Sequence, residues 1–554
     1  MAPVWMTVVV LVYLFAIGYL GFRGYAATRG ATDYLIGGRR IHPYVMAMSY
    51  GATFISTSAI VGFGGVAAVY GMGLLWLVFL NIFFGIFIAF VAFGARTRQM
   101  GLRLDAHTFP EFLGRRFRSR FIQGSSGLLI FLLMPLYTAA VMMGAAKYLA
   151  QQLGIGYETA LFLFSVVIGL YVIMGGIKGV MYTDALQGTI MLAGMTALLV
   201  LTYVKLGGFA SVHAELSSMT PLVPEKLIAA GHRGWTSMPA FGSPWWWTLV
   251  STIMLGVGLG VLAQPQLAVR YMTVKSGREI NRAVPIGGVF ILLTVGVAYV
   301  VGALTNIHFQ RTAGKIAIAA AGGDVERIIP LYITESLPGW FSLLFMLTLL
   351  SAAMSTISSQ LHAMGTAIGR DLYEQGLRHG RGGGGVIATR VGVLAGLLAS
   401  VWLGYELEKQ FGKSGTEIVA RGTAIFFGFC ACAFLPMYLG ALWSRAITRA
   451  GAIAGMLVGA VASLAWMTFV HEKASTALLL CQKLFGVRSL GVYLVDGVEK
   501  FHRAGPVIWA FVDPMIIGFP LAVIVTVAVS AFTAKPPKEH LDMCFGPPGV
   551  VPAP

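Results

Sequence analysis

The sequence predicts an all-α integral membrane protein with about thirteen transmembrane helices, two of them broken. Three observations carry that prediction. The 554 residues are 57% hydrophobic and only 11% charged, with a mean hydropathy of +0.79, whereas soluble domains carry about 25% charged residues. Apolar runs long enough to cross a bilayer, about 20 residues each, recur along the whole chain. Two of those runs are interrupted by glycines and hydroxyl residues rather than by charge.

The runs fall at 4–22, 43–70, 74–94, 122–150, 157–174, 183–205, 245–272, 283–305, 338–369, 385–404, 417–441, 450–470 and 506–532. The first lacks a basic leader and a clear cleavage site, so it reads as a retained span rather than a signal peptide. The second holds Gly62, Gly64 and Gly65, and the seventh holds Gly256, Gly258 and Gly260. Their starts are five spans apart, the pattern of two five-span inverted repeats that each open with a broken helix. Close packing of glycines is the competing explanation. The expected plan is a peripheral span with an inner loop over 1–42 and a transport core over 43–445. The core divides into repeats at 43–205 and 245–441. Two peripheral spans over 446–532 and a Pro-rich, disordered cytoplasmic tail over 533–554 complete it.

The net charge of +17 raises the question of nucleic acid, but its placement answers otherwise. One set of alternate loops holds 24 Lys and Arg and the other, longer set holds 13. By the positive-inside rule the N-terminus is outside a cell (inner) membrane and the C-terminus is cytoplasmic. The basic excess reads as a topology signal and a contact with anionic lipid, not as a nucleic-acid footprint. Cys430, Cys432, Cys481 and Cys544 give no metal pattern and read as small core hydrophobes. No phosphate-binding Gly-rich loop supports an ATP-driven pump. The spans hold no set of His, Asp and Cys that an embedded enzyme would need, and the sequence implies no organic cofactor. The tail is too short for the signalling domain of a sensor. A monomer or loose oligomer is expected.

The chemistry concentrates in Ser351-Ala-Ala-Met-Ser-Thr-Ile-Ser-Ser-Gln360. Five hydroxyls sit in an otherwise apolar helix. Ser355, Ser358 and Ser359 follow i, i+3, i+4 spacing and share a face. Neutral oxygens suit a hard cation stripped of its water, and the carbonyls freed by an interrupted helix such as Gly51–Gly65 add more. On spacing alone, hydroxyls bonded back to carbonyls four residues earlier explain the pattern equally.

Four separated motifs resemble those of the sodium:solute symporter family, over about residues 40–445. They are Gly51-Ala-Thr-Phe-Ile-Ser, Gly179-Val-Met-Tyr-Thr-Asp-Ala-Leu-Gln187, Gly258-Leu-Gly-Val-Leu-Ala-Gln-Pro265 running on to Arg270, and Ala352–Leu361 running on to Asp371-Leu-Tyr373. The first and last look most like those of pantothenate carriers, the third like that of proline carriers. The resemblance implies the inverted-repeat core of the bacterial leucine transporter and sodium as the coupling ion. It implies a sodium site of the carbonyls of Ala52, Ile55 and Ala352 with the hydroxyls of Ser355 and Thr356. Asp184 matches an aspartate on the family's sodium release path; a first-turn helix acid is its plainer reading. Ser358 and Ser359 match positions that, with that aspartate, build a second sodium site in some members.

The solute is expected at the midplane between the two breaks, near Thr53, Phe54, Ser56, Ser58, Tyr137, Gly256, Val257 and Gln264. Phe54 stands where proline carriers have an acid and Val257 where they have a tryptophan, so the pocket is more apolar and uncharged. Glu417 and Arg421, spaced i, i+4, read first as a self-satisfied helical pair; the second reading is an electropositive outer vestibule in which Arg421 or Lys147 attracts an anionic solute. Trp245, Trp246 and Trp247 read as an interfacial belt, with an outer gate as the second reading. His107 and the Arg115–Arg118 run lie on the inner side. The expected function is sodium-coupled symport of a small carboxylate or neutral amino acid. A sugar or polyol carrier is the alternative, and a channel or sensor on the same core is a further one.

Overall fold

A computed structural model describes residues 3–377, 385–411, 418–495 and 498–546. Its long helices are α1 (Pro3–Ala26), α2 (Pro43–Phe54), α3 (Ser58–Tyr70), α4 (Met72–Arg103), α5 (Phe109–Arg116), α6 (Arg120–Leu153), α7 (Tyr157–Leu206) and α8 (Pro244–Ala263). They continue with α9 (Gly277–Ala313), α10 (Gly339–Gln375), α11 (Gly385–Phe411), α12 (Ile418–Ala433), α13 (Leu435–Trp443), α14 (Arg449–Val470), α15 (Pro514–Ala531) and α16 (Lys538–Phe545). Among the described residues, ten helices are long and apolar enough to cross a membrane, or twelve if each bent pair, α2–α3 and α12–α13, is one span. Helix α7 runs 50 residues, about 75 Å at 1.5 Å per residue, more than twice the hydrocarbon core. Gly176 interrupts it with φ 55° and ψ −159°. Thirteen spans follow only if α7 crosses twice.

The breaks do not sit at the glycines. Helix α2 ends at Phe54, and Ile55 is extended at φ −97° and ψ 104°. Ser56 Oγ accepts from the Ser58 amide at 3.2 Å, the local competition by which hydroxyl residues leave helices. The chain resumes at a 55° bend. In the second interrupted segment Gln264 is the extended residue, at φ −69° and ψ 118°. Pro265 follows it, and a residue before proline is pushed out of the α region. Gly64, Gly65, Gly256, Gly258 and Gly260 all stay helical. Their use is close approach: a Cβ on Gly302 of α9 would collide with the Gly64 carbonyl, and one on Gly260 would lie 2.5 Å from the Phe427 carbonyl oxygen.

Helices around the core are buried on the side that faces it and apolar on the other. Helix α1 has Tyr13 and Ile17 buried while Leu11, Val12 and Phe15 are exposed, a stripe fit for lipid. Its position is less peripheral than expected. The Tyr13 hydroxyl accepts from Ser351 Oγ at 3.2 Å and from Gln187 Nε2 at 3.4 Å. Two small antiparallel ribbons, β1 (Val492–Val495) with β2 (Val498–Phe501) and β3 (Arg503–Ala504) with β4 (Val507–Ile508), qualify the all-α expectation in the loop between α14 and α15. The tail also departs from its expectation. Helix α16 docks through Arg103 Nη1 on the Cys544 carbonyl at 3.0 Å, His540 on the Arg116 carbonyl at 2.8 Å and Arg445 on Asp542 at 3.0 Å.

Candidate functional site

The end of α2 meets the middle of α10. Ser355 Oγ lies 2.9 Å from the Ala52 carbonyl oxygen, 2.7 Å from that of Ser351 and 3.3 Å from that of Ala352. Thr356 Oγ1 lies 3.0 Å from the Thr53 carbonyl and 3.4 Å from that of Ala52. Two hydroxyl protons are thus shared among five carbonyl contacts, all fully buried. A buried cluster of neutral hydroxyl and carbonyl oxygens is the chemistry that suits a dehydrated hard cation. The first break explains why the oxygens are there: α2 stops within three residues of Ala52, and Ile55 carries its carbonyl out of the helical ladder. The structure therefore brings Ala52, Ala352, Ser355 and Thr356 together and adds the carbonyl of Thr53, which the sequence reading had assigned to solute. The motif points to the carbonyls of Ala52 and Ile55, three residues apart; only the helix crossing reveals that of Thr53.

One turn along α10 the character changes. Asp184 Oδ2 accepts from Ser49 Oγ at 2.7 Å, and its Oδ1 accepts from Ser358 Oγ at 3.3 Å. Thr53 Oγ1 is 2.8 Å from Ser359 Oγ and 3.3 Å from Asp184 Oδ2. Into this group comes Arg270, the residue that closes the third motif and that no local pattern marks as a site residue. Arg270 Nη2 donates to Thr53 Oγ1 at 2.6 Å, to Ser359 Oγ at 2.5 Å and to Asp184 Oδ2 at 3.0 Å. Its Nε donates to Ser49 Oγ at 2.9 Å, and its Nη1 to the Gln266 carbonyl. Arg270 and Asp184 side chains are both 0% exposed. No local pattern signals a pairing 86 residues apart.

The solute candidates divide. Phe54, Ser56 and Tyr137 converge: Phe54 stacks on Phe427 at 6.2 Å, Tyr137 meets Phe427 edge-on at 5.7 Å, and Tyr137 hydrogen-bonds Ser56. Phe427 and Phe426 of α12 were missed; they lie in a plain apolar span with no signal of their own. Thr53 turns instead into the Arg270 group. Ser58 and Val257 are buried. Gly256 packs against the Asp513 carboxylate, a Cβ there lying 3.1 Å from Oδ2. Gln264 Oε1 accepts from Gln266 Nε2 at 2.8 Å, while its own Nε2 is buried with no protein partner. An inner cavity lined by Thr108, Gln266, Ser359 and His362 reaches the Arg270 group.

The charges outside this centre correct two expectations. Lys147 is flanked by Glu408 at 3.0 Å and Glu326 at 3.4 Å, so two carboxylates cancel the positive field expected of it. The Arg421 side chain and Glu417 lie outside the described residues. Trp245 is buried and stacks on Tyr70 at 3.5 Å; it is no belt residue, and the gate reading fits it better. At the end of the bundle that holds α5, Glu111 meets Arg115 at 2.7 Å and Arg370 at 3.0 Å. Burial raises the Glu111 pKa, but the His107 hydrogen bond and the Arg370 and Arg115 charges outweigh it and hold it at about 2. Asp371 accepts from Thr108 at 2.7 Å and Gln123 at 2.8 Å, tying α10 to α5 and α6.

A buried neutral oxygen shell at a helix break, beside an aromatic pocket, is the arrangement of an ion-coupled carrier. The model of the Sodium:solute symporter family matches residues 34–459. The chain belongs to the sodium:solute symporter family. Similar members include the osmoregulated proline transporter OpuE of Bacillus subtilis (strain 168), 27% identical over 97% of this chain and 96% of that protein. A sodium/proline symporter of Staphylococcus aureus (strain bovine RF122 / ET3-1) is 29% identical over 96% of this chain and 94% of that protein. A solved structure, the substrate-bound outward-open state of a Na+-coupled sialic acid symporter, matches with a TM-score of 0.72 at 18% identity, covering 96% of this chain and 98% of its own; at that identity it shows the fold. This family member is accordingly a multi-pass sodium-coupled symporter, a transporter rather than an enzyme, with Na+ as its coupling ion.

Proposed function

We propose that this symporter imports a small carboxylate with a modest apolar body, driven by sodium held at Ala52, Ile55, Ala352, Ser355 and Thr356, with the Thr53 carbonyl close by. The observation that carries the sodium reading is the meeting of the Ser355 and Thr356 hydroxyls with the α2 carbonyls across two helices. An ion there ties the first broken helix to α10. It contributes to transport only through its different affinity for the outward-open and inward-open states. Release inward follows the Asp184 and Ser359 group toward the inner cavity.

The solute reading is supported by the pocket of Phe54, Tyr137 and Phe427 with Ser56, which offers aromatic faces, two hydroxyls and no charge. The free amides of the break carry partial positive charge that favours a carboxylate. A sugar would leave several hydroxyls unpaired there, at roughly 1–3 kcal/mol each. A second reading, proline, is favoured by the names of the relatives. Against it stands Phe54, which gives an ammonium group no counter-charge. The N-terminus is placed outside and the C-terminus in the cytoplasm, on the loop charges.

The test is competition against sodium-driven uptake in proteoliposomes. Short monocarboxylates and pantothenate-like acids should compete best, proline less and hexoses least. Potent competition by glucose or galactose, with none by any carboxylate, overturns the solute reading. Uptake that ignores the sodium gradient overturns the coupling.

A further inference from the structure

A cavity of about 620 Å3, counting its open mouth, lies between α3, α8 and α12 on one side and the end of α14 and start of α15 on the other. That is the size of a small-molecule site. Both breaks separate it from the Arg270 group, since α3 follows the first break and α8 precedes the second. Most of its wall is apolar, supplied by Phe63, Ile253, Ile425 and Met467. Asp513 reaches it from the start of α15 and is buried between α8 and α12. Gly256 and Gly428 leave the room: a Cβ on either would stand 3.1 or 3.2 Å from a carboxylate oxygen of Asp513. The carboxylate accepts from the Met515 amide at 2.9 Å and from the Thr252 hydroxyl, both neutral donors. Trp245 lines the same cavity, and its buried indole Nε1–H has no acceptor among the described residues. A buried tryptophan N–H usually finds one. Thr248, His471 and the half-buried Lys473 are the remaining polar residues of the wall.

We propose that this cavity is a second ligand site, which takes a small apolar amino acid as its zwitterion. The wall offers both signs: a carboxylate for an ammonium, and the indole N–H with the Lys473 ammonium for a carboxylate. A ligand with a carboxylate alone would meet Asp513 as a like charge. A ligand with an amine alone would leave the indole N–H unpaired and meet Lys473 as a like charge. A zwitterion meets both needs, and its side chain covers the apolar wall. The site adjoins the Phe54–Tyr137–Phe427 pocket along α12, where Ala424 and Ile425 precede Phe426 and Phe427, but shares no residue with it. None of the residues of the sodium shell lines it either, so occupancy needs no coupling ion.

The experiment is equilibrium binding of radiolabelled L-valine and L-proline to the purified full-length protein in detergent, in sodium-free buffer. At least one of the two should bind. Isovalerate and cyclopentanecarboxylate lack the ammonium, and isobutylamine and pyrrolidine lack the carboxylate. Each should compete at least about tenfold more weakly than the parent amino acid, the scale of one lost charge-assisted hydrogen bond. Asp513→Asn keeps an acceptor for the Met515 amide but removes the charge, and should weaken binding at least about tenfold. Trp245→Phe keeps a ring on Tyr70 but removes the N–H, and should weaken it by about three- to tenfold. Phe54→Ala, in the central pocket, should leave this sodium-free binding unchanged. If Asp513→Asn does not fold, Trp245→Phe and the analogue series carry the test. Binding of neither amino acid overturns the inference, and so does equal competition by an analogue that lacks either charge. Binding that falls in Phe54→Ala but survives Asp513→Asn and Trp245→Phe belongs to the central pocket and overturns it too. Each of these failures leaves the symport reading standing, because that reading is judged by sodium-driven uptake.

Discussion

Two polar clusters lie about one turn apart on α10, and they solve opposite problems. Around Ser355 and Thr356 every polar group is neutral, hydroxyls of one helix facing carbonyls of another. Around Ser358 and Ser359 a carboxylate and a guanidinium face each other, both fully buried. The first cluster gathers neutral oxygens from two helices; the second pairs a carboxylate with a guanidinium. Serines on one helix face thus acquire different roles from what the neighbouring helices bring to them, backbone carbonyls in one case and a charge pair in the other.

The largest expected effect comes from breaking the second cluster. Asp184→Asn leaves the Arg270 charge buried without its partner, and removal of one member of a buried pair costs about 3–5 kcal/mol. Thermal unfolding in detergent should show that loss, and Arg270→Met/Asp184→Asn should recover much of it. Equal stability of the single variant and the intact protein would dissolve the contrast. The next effect belongs to the first cluster. Ser355→Ala/Thr356→Ala removes two oxygens from the ion, and half-maximal uptake should need at least about tenfold more sodium, or about 1.4 kcal/mol. Folding should be little changed, in contrast to Asp184→Asn.

The comparison sharpens further in the charge moved per cycle. If one sodium accompanies one monocarboxylate, no net charge moves and uptake should be indifferent to membrane potential; two sodium ions per monocarboxylate should make uptake respond to it. Uptake of a zwitterion such as proline should respond to it. Phe54→Asp would place an acid in the aromatic pocket and should weaken carboxylate uptake by about tenfold, the scale of one lost or opposed polar interaction, with a smaller loss for amino acids. The smallest effect lies at the inner cluster. Glu111 is held at about 2, below its ordinary 4.5. Its contribution is therefore fully present above about pH 4.5 and fades only as pH falls toward 2. The difference in unfolding temperature between the intact protein and Glu111→Gln should shrink as pH falls from about 4.5 toward 2.

The sequence carried the membrane class, most span positions and, through its motifs, the meeting of Ala52 with Ser355 and Thr356. Each of these is written locally, in apolar runs or in short strings of hydroxyls. The breaks were legible in principle but misread. Glycines drew attention, whereas Ile55-Ser56 and the Gln264-Pro265 pair carry the physical cause. Arg270 with Asp184, and Lys147 with Glu326 and Glu408, were not legible, because each partner lies far along the chain and no periodicity points at it. Thr53 shows the same limit on a smaller scale: its neighbours Ala52 and Phe54 were placed by motif, yet the direction of its hydroxyl depends on a helix turn set by α7 and α10.

Helix α16 makes a chain end useful as an instrument. It grips the ends of α4 and α5 through Arg103 and Arg116 and the segment after α13 through Arg445. The four native cysteines are all buried, while Glu539 on this helix is exposed. A dye on Glu539→Cys would label one place, at a rigid strut rather than on a drifting tail. Paired with a second dye on a helix across the same end of the bundle, it would give a molecular ruler for the opening and closing of that end during turnover.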